Sequence, residues 1–208
     1  MTTSAQRERA ALVESLRAAG PDAPTLCEGW TTRDLAAHLV VRERRLDAAP
    51  GILVPRFAGY TERVQQKITD STDWDTLLDQ IAGGPPVFSP FKLLDPLVNV
   101  GEMFIHNEDV RRAQPDWEPR VLDPGTAKLL ARGVSNMARL AMKKPPVRVS
   151  LTTPEGRTLT TLGHGPTVTV TGAPEELLLF AAGREPAHVD FSGDDDAVAT
   201  LRGSRRGL

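Results

Sequence analysis

Cysteine is nearly absent from the 208-residue sequence, since Cys27 is the only one. An intrachain disulfide is therefore excluded, and we expect a reduced, cytoplasmic setting. Long apolar runs are absent as well: no stretch approaches the ~18 apolar residues that a membrane span needs. The first residues contain no apolar signal-peptide core. We therefore expect no membrane partner.

The sequence also has no bias toward one sign of charge. Its 25 basic and 27 acidic side chains give a net charge of −2. The signs are interspersed, with 19 basic and 19 acidic residues in residues 1–145 and 6 and 8 in residues 146–208. Neither part is a basic surface for phosphates, so we expect no nucleic-acid partner.

The apolar spacing divides the chain into two parts. It is helical up to Lys143 and alternates after Pro146, where β-branched residues predict strands. We predict an α+β protein: an N-terminal helical bundle over residues 1–144 and a small α+β domain over residues 147–208. The helices of the bundle are predicted at residues 4–19, about 32–48, 59–70, 74–82, from near Pro96 to before Pro115, and after Asp123.

One predicted helix contains an unusual polar row. Glu102, His106 and Asp109 are four and three residues apart, which places their side chains on one face, about a turn apart. Carboxylates and an imidazole in this arrangement are a common way to present ligands to a divalent metal inside a bundle. The alternative for Glu102 and His106 is an ordinary hydrogen-bonded pair on a helix surface.

A further ligand must come from elsewhere, and histidines are few. Of the four, His38 also lies in an apolar helical segment, whereas His164 and His188 lie in turn-like surroundings and are expected to be solvated. We hypothesise that His38, Glu102 and His106 form a metal site. Two imidazoles and a carboxylate leave coordination positions open, as in catalytic sites. The alternative for His38 is a hydrogen-bonded core residue.

Three other side chains are weaker candidates. Asp109 could orient His106 through its second ring nitrogen, or could pair with Arg111 or Arg112. Cys27 could bind metal or attack an electrophile as a thiolate, but a lone cysteine beside apolar residues is usually a small buried hydrophobe. Arg184 could reach an anionic substrate, with a solvated arginine as the alternative.

Three motifs resemble one known family. The segment Leu26-Cys-Glu-Gly-Trp-Thr-Thr-Arg-Asp-Leu-Ala-Ala-His-Leu39 resembles the motif around the first metal ligand of the mycothiol-dependent maleylpyruvate isomerase family. That family belongs to the DinB-like metal-binding four-helix bundles. Glu102-Met-Phe-Ile-His106 resembles its second motif, and Val168 to Arg184 is similar to its small α/β C-terminal domain.

The resemblance implies a DinB-like four-helix bundle followed by a small α/β domain. It further implies a divalent metal, zinc first and nickel second, bound by His38, Glu102 and His106. The actinobacterial thiol mycothiol is implied as co-substrate, with the metal lowering the pKa of the thiol for attack on an electrophile. The stretch from Gly84 to Phe91 and the run from His106 to Asp109 mark the chain as a metal-binding relative of unassigned substrate, in a less-characterised actinobacterial branch. The resemblance implies the metal but not the maleylpyruvate reaction.

The leading functional prediction is a metal-dependent transferase or isomerase that uses a low-molecular-weight thiol and a small-molecule electrophile. The alternative is a non-catalytic protein that binds a metal or a small ligand, and a third reading makes the three ligands purely structural. The sequence contains no interface signature and is compatible with a monomer or a homodimer.

Overall fold

The computed structural model describes residues 2–52, 54–86 and 96–207, with the backbone alone for residues 96–98. Its mixed α and β composition confirms the predicted fold class at this level. The elements in chain order are α1 (Ser4–Ala19), α2 (Thr32–Arg44), α3 (Pro55–Ser71), α4 (Trp74–Ala82), α5 (Pro96–Arg111), α6 (Pro124–Ala141), β1 (Arg148–Thr152), β2 (Thr158–Leu162), β3 (Thr167–Thr171), α7 (Pro174–Ala181), β4 (Asp190–Ser192) and α8 (Asp195–Arg202).

The chain divides into two compact units, Met1–Pro119 and Arg120–Leu208. This division differs from the predicted domains 1–144 and 147–208, because α6 belongs to the second unit, where it packs against α7 and β2. The sequence boundary at Lys143 marks the change from helical to alternating periodicity. Periodicity reports the type of an element and not which neighbours cover its apolar face.

Side-chain caps fix where the helices of the first unit begin. The Thr31 side chain accepts from the backbone N–H of Asp34, and the Asp34 side chain accepts from that of Thr31, so the two form a capping box at α2. The Asp73 side chain caps α4 by accepting from the backbone N–H of Thr76. The helix predicted to reach Ala48 ends at Arg44, and a short 3-10 helix, Ala49–Ile52, follows it.

An apolar cluster of the first unit gathers side chains from four helices. Its fully buried members include Leu12 and Leu16 of α1, Leu35 of α2 and Leu77 of α4. Met103 and Val110 extend the cluster onto α5, which packs along α1. The described part of this unit contains five α-helices, so a helical N-terminal domain is confirmed, while a four-helix count is not.

The second unit contains a four-stranded sheet in the order β2-β1-β3-β4. β1 is antiparallel to β2 and parallel to β3, and β3 is antiparallel to β4. Val149 and Leu151 of β1 and Val168 and Val170 of β3 are fully buried. Their alternation with exposed or half-buried residues is the pattern that predicted these strands.

Two further expectations concern a loop before α5 and membrane-spanning helices. The loop predicted around Phe88, Pro90 and Phe91 lies outside the described residues. Among the described residues, no helix is both long and apolar enough to cross a membrane.

Candidate metal centre

Helix α5 buries polar side chains over two consecutive turns. His106, Asn107, Glu108 and Asp109 are each at most 9% exposed, and Arg112 is 4% exposed. Charged side chains are rarely buried unless they are paired, because removing them from water is costly. In the row predicted at Glu102, His106 and Asp109, the last two side chains are therefore part of the interior of the first unit, and Glu102 is partly exposed.

The structure brings together the three residues that the sequence singled out as metal ligands. His38 of α2 meets Glu102 and His106 of α5, and one ligand atom from each lies within 4.8 Å of the others. The two imidazole rings are 5.5 Å apart between centroids and inclined by 70°. His38 is 8% exposed and the Glu102 side chain 25% exposed, so the cluster is largely enclosed.

The two nitrogens of His106 face different carboxylates. Nε2 lies 3.3 Å from Oε1 of Glu102. Nδ1 lies 2.9 Å from Oδ2 of Asp109. This second contact is the one expected of a residue that orients a ligating histidine, because it fixes the ring and leaves the other nitrogen directed at the site.

The two arginines that were predicted as alternative partners of Asp109 both contact the carboxylate of Glu108. Arg111 lies 2.9 Å and Arg112 2.6 Å from the carboxylate of Glu108. Asp109 itself accepts a hydrogen bond from the Cys27 thiol at 3.3 Å as well as contacting His106. Asp109 is thus close enough to His106 to orient its ring, and this role stays a prediction.

Burial, hydrogen bonds and neighbouring charges shift the pKa values of the three candidate ligands in different directions. Burial lowers the pKa of His38 to about 4, and the charge of His106 acts in the same direction. Burial alone would also lower the pKa of His106, but hydrogen bonds with Asp109, Cys27 and Glu102 raise that pKa well above 6.5.

The pKa of Glu102 shifts against the effect of burial. Burial would raise it, but the hydrogen bond with His106 and the charge of Arg42 hold this pKa well below its usual value. At neutral pH the cluster therefore combines a neutral His38, an ionised Glu102 and a positively charged His106.

Arg42 is a member of this cluster that the sequence reading missed. Its Nε lies 3.1 Å from Oε1 of Glu102, and its side chain is 7% exposed. The spacing could have revealed it, because Arg42 follows His38 by four residues on α2 and so lies on the same face. Gln65 of α3, which acts to raise the pKa of His38, was also missed, and no spacing rule connects these two helices.

The loop between α1 and α2 contributes to both edges of the cluster. Trp30 packs its ring 5.0 Å from that of His38, and Cys27 reaches Asp109. An isolated bridge between Pro24 and Thr31 closes the loop, and the backbone N–H of Leu26 donates to the carbonyl of Asp109 at 3.0 Å. Cys27 is half-buried against the apolar cluster, as expected, but its thiol also faces polar groups.

The remaining candidates lie in the second unit. His164 and His188 are exposed, as predicted. Arg184 follows α7, and its guanidinium donates to the carbonyl of Ala182 at 2.7 Å. A contact of Arg184 with a substrate stays a prediction.

The donor set of the cluster suits a divalent metal ion. Two imidazoles and one carboxylate are among the ligands that zinc and its neighbours take in proteins, and three protein ligands are typical of an open site. The lone pair of His38 is available at neutral pH because its pKa is low. His106 would give up a proton to become a ligand, since a metal binds the neutral ring.

A comparison with known families supports the resemblance for the N-terminal part of the chain. Residues 3–88 match the family model described as mycothiol maleylpyruvate isomerase N-terminal domain. Searches of curated proteins and of solved structures gave no match. The matched segment includes Cys27 and His38 but ends before Glu102 and His106. Residues 3–88 of this chain are therefore similar to the mycothiol maleylpyruvate isomerase N-terminal domain, over less than half of the chain.

Proposed function

We propose that His38, Glu102 and His106 bind one divalent metal ion, zinc in the first place and nickel as the alternative. The observation that carries this proposal is the convergence of the three ligand atoms within 4.8 Å from two separate helices. The similarity of residues 3–88 to the mycothiol maleylpyruvate isomerase N-terminal domain supports it. We further propose that the helices of the first unit adopt a DinB-like four-helix arrangement.

The neighbouring residues of the chain prepare the ligands. Asp109 accepts from Nδ1–H of His106 and so keeps Nε2 directed toward Glu102 and His38. Arg42 holds the Glu102 carboxylate in its ionised form. Trp30 packs against His38 and shields that ring from water, which favours the neutral imidazole.

We propose thiol-dependent transfer or isomerisation as the reaction class. A divalent ion in this position supplies a Lewis acid that lowers the pKa of a thiol. The nucleophile is a low-molecular-weight thiol, with mycothiol suggested by the family name, and the other substrate is a small-molecule electrophile. The protein orients these groups and limits access of water, because the cluster is enclosed apart from the partly exposed Glu102.

Calorimetric titration of mycothiol into the protein tests this proposal against a non-catalytic metal-binding role. We expect binding to the zinc-loaded wild type and at least about tenfold weaker binding to the metal-free protein, since the thiol loses its partner ion. The His38→Ala variant should behave like metal-free protein, and the matched His164→Ala variant like wild type. Equal binding with and without zinc, or no binding to the loaded protein, would refute thiol activation and favour the non-catalytic alternative.

A further inference from the structure

The Nδ1 side of the His106 ring meets a second set of donor atoms. Nδ1 lies 2.9 Å from Oδ2 of Asp109, and the same oxygen lies 3.3 Å from the Cys27 sulfur. One ligand atom each from Cys27, His106 and Asp109 lies within 4.8 Å of the others, as in the first set. His106 is thus shared by two groups of three candidate ligands.

Hydrogen bonds hold the loop that carries Cys27 against α5. The N–H of Leu26 donates to the carbonyl of Asp109 at 3.0 Å, which ties the loop to the helix that carries the other two donors. The Thr25 hydroxyl donates to the carbonyl of Trp30 at 2.9 Å and accepts from the N–H of Cys27 at 3.2 Å. The backbone that carries Cys27 is therefore held beside Asp109, whose carboxylate accepts from the thiol.

The chemistry of imidazole makes the two sets alternatives. A neutral ring has one N–H and one lone pair. When Nδ1–H donates to Asp109, the lone pair is on Nε2, the nitrogen that lies 3.3 Å from Glu102. When Nε2–H donates to Glu102, the lone pair of Nδ1 is directed at Cys27 and Asp109. One neutral His106 can thus serve either set, but not both at the same time.

The two sets also differ in the ions that they favour. The set of His38, Glu102 and His106 offers nitrogen and oxygen, which suit borderline divalent ions. The second set adds a sulfur ligand, and thiolates select soft ions. We propose that Cys27, Asp109 and Nδ1 of His106 form a second metal position that takes soft ions such as Cd²⁺ or Cu⁺ in place of an ion in the first position.

Binding in this second position changes the protonation of two groups. The Cys27 thiol releases its proton to solvent, because the thiolate is the ligand. The Nδ1 proton is lost to solvent as well, while Nε2–H remains as donor to Glu102. The proposal uses His106 from the proposed function but neither His38 nor Glu102 as a ligand, so either proposal can fail alone.

A cadmium titration of the metal-free protein in thiol-free buffer tests the inference, with the ultraviolet sulfur-to-cadmium charge-transfer band as readout. The wild type should develop the band to about one equivalent of Cd²⁺, as expected for a single thiolate site. Cys27→Ser should abolish the band. Asp109→Asn should weaken cadmium affinity by about tenfold or more, since the ion would lose its carboxylate ligand. His38→Ala, which removes a ligand of the first set alone, should keep the band.

Three outcomes would overturn the proposal. One is a wild type whose thiol is chemically shown to be reduced but which gives no band. Another is a band whose midpoint is unchanged in both Asp109→Asn and His106→Ala, which would mean that cysteine binds the ion alone. The third is loss of the band in His38→Ala. Circular dichroism of each variant separates these outcomes from misfolding, and zinc uptake by wild type reports separately on the first site.

Discussion

The two units of the chain bury different kinds of side chain. In the second unit, β1 and β3 turn valines and a leucine inward, and the buried Glu176 carboxylate accepts from the backbone N–H of His188 at 2.8 Å. In the first unit, α5 and Arg112, which directly follows it, bury a histidine, two carboxylates and an arginine within two turns. Apolar burial stabilises a fold without further requirement, whereas buried charge is costly and persists where partners or ligands compensate it. We therefore expect the function of the first unit to depend on α5.

The largest expected effect on stability comes from breaking a buried ion pair of α5. Glu108→Ala removes the carboxylate that faces the buried Arg112 at 2.6 Å, and we expect a loss of about 3–5 kcal/mol of unfolding free energy. Urea denaturation measures it. Asp47→Ala, which breaks an exposed pair with Arg45, is the matched control and should change stability little. Equal effects of the two variants would contradict the distinction between buried and surface charge.

A core truncation in the second unit should affect stability alone. Leu151→Ala opens space beneath β1, where Leu151 is fully buried, and we expect a cost of about 2–5 kcal/mol. Bound zinc per folded chain should stay as in wild type, because the candidate ligands lie in the first unit. Elemental analysis of the folded fraction checks this, and a parallel loss of zinc would show that the units are not separable in function.

A change next to the candidate ligands should affect metal affinity more than stability. Asp109→Asn keeps the size of the side chain but replaces the charged acceptor that faces Nδ1 of His106. We expect about 10–100-fold weaker zinc binding, the usual cost of losing such a partner. Competition with a chromogenic chelator measures the affinity. Unchanged affinity would mean that Asp109 only supports the fold.

The smallest expected effect is a difference in titration between two adjacent rings. In the metal-free protein between pH 4 and 6.5, His38 should be neutral and His106 protonated. His38 therefore lowers stability as pH falls from 6.5 toward 4, because the folded state binds fewer protons than the unfolded one. His106 stabilises the fold below pH 6.5 and loses this contribution as pH rises through its raised pKa. Histidine NMR resolves the two rings, and identical titration curves would contradict the assigned environments.

The sequence predicted most of the elements because their signals are local. Capping residues such as Thr31, Asp73 and Asp123 define helix starts, and alternation in β1 and β3 defines strands. The extent of the second unit could not be predicted, since α6 has an ordinary amphipathic pattern that does not specify its packing partner. The end of α2 was placed four residues too late, because residues 45–48 form a turn before the 3-10 helix Ala49–Ile52.

The candidate site was partly predictable for the same reason. Glu102, His106 and Asp109 are connected by helical spacing, and Arg42 follows His38 by the same rule. The contacts of Cys27 with Asp109 and of Gln65 with His38 join segments that are distant in sequence. Such contacts depend on tertiary packing, which periodicity does not encode.

The central claim is that His38, Glu102 and His106 bind a metal ion, and elemental analysis of purified protein tests it most directly. The measurement compares wild type with a His38→Ala/His106→Ala double variant. A His164→Ala/His188→Ala variant is the control, because it also loses two histidines but both of these are exposed. We predict about one equivalent of zinc or nickel in wild type and control, and none in the folded His38→Ala/His106→Ala variant. A wild type that is unloaded and fails to take up added zinc, or a double variant that retains its metal, would contradict the account.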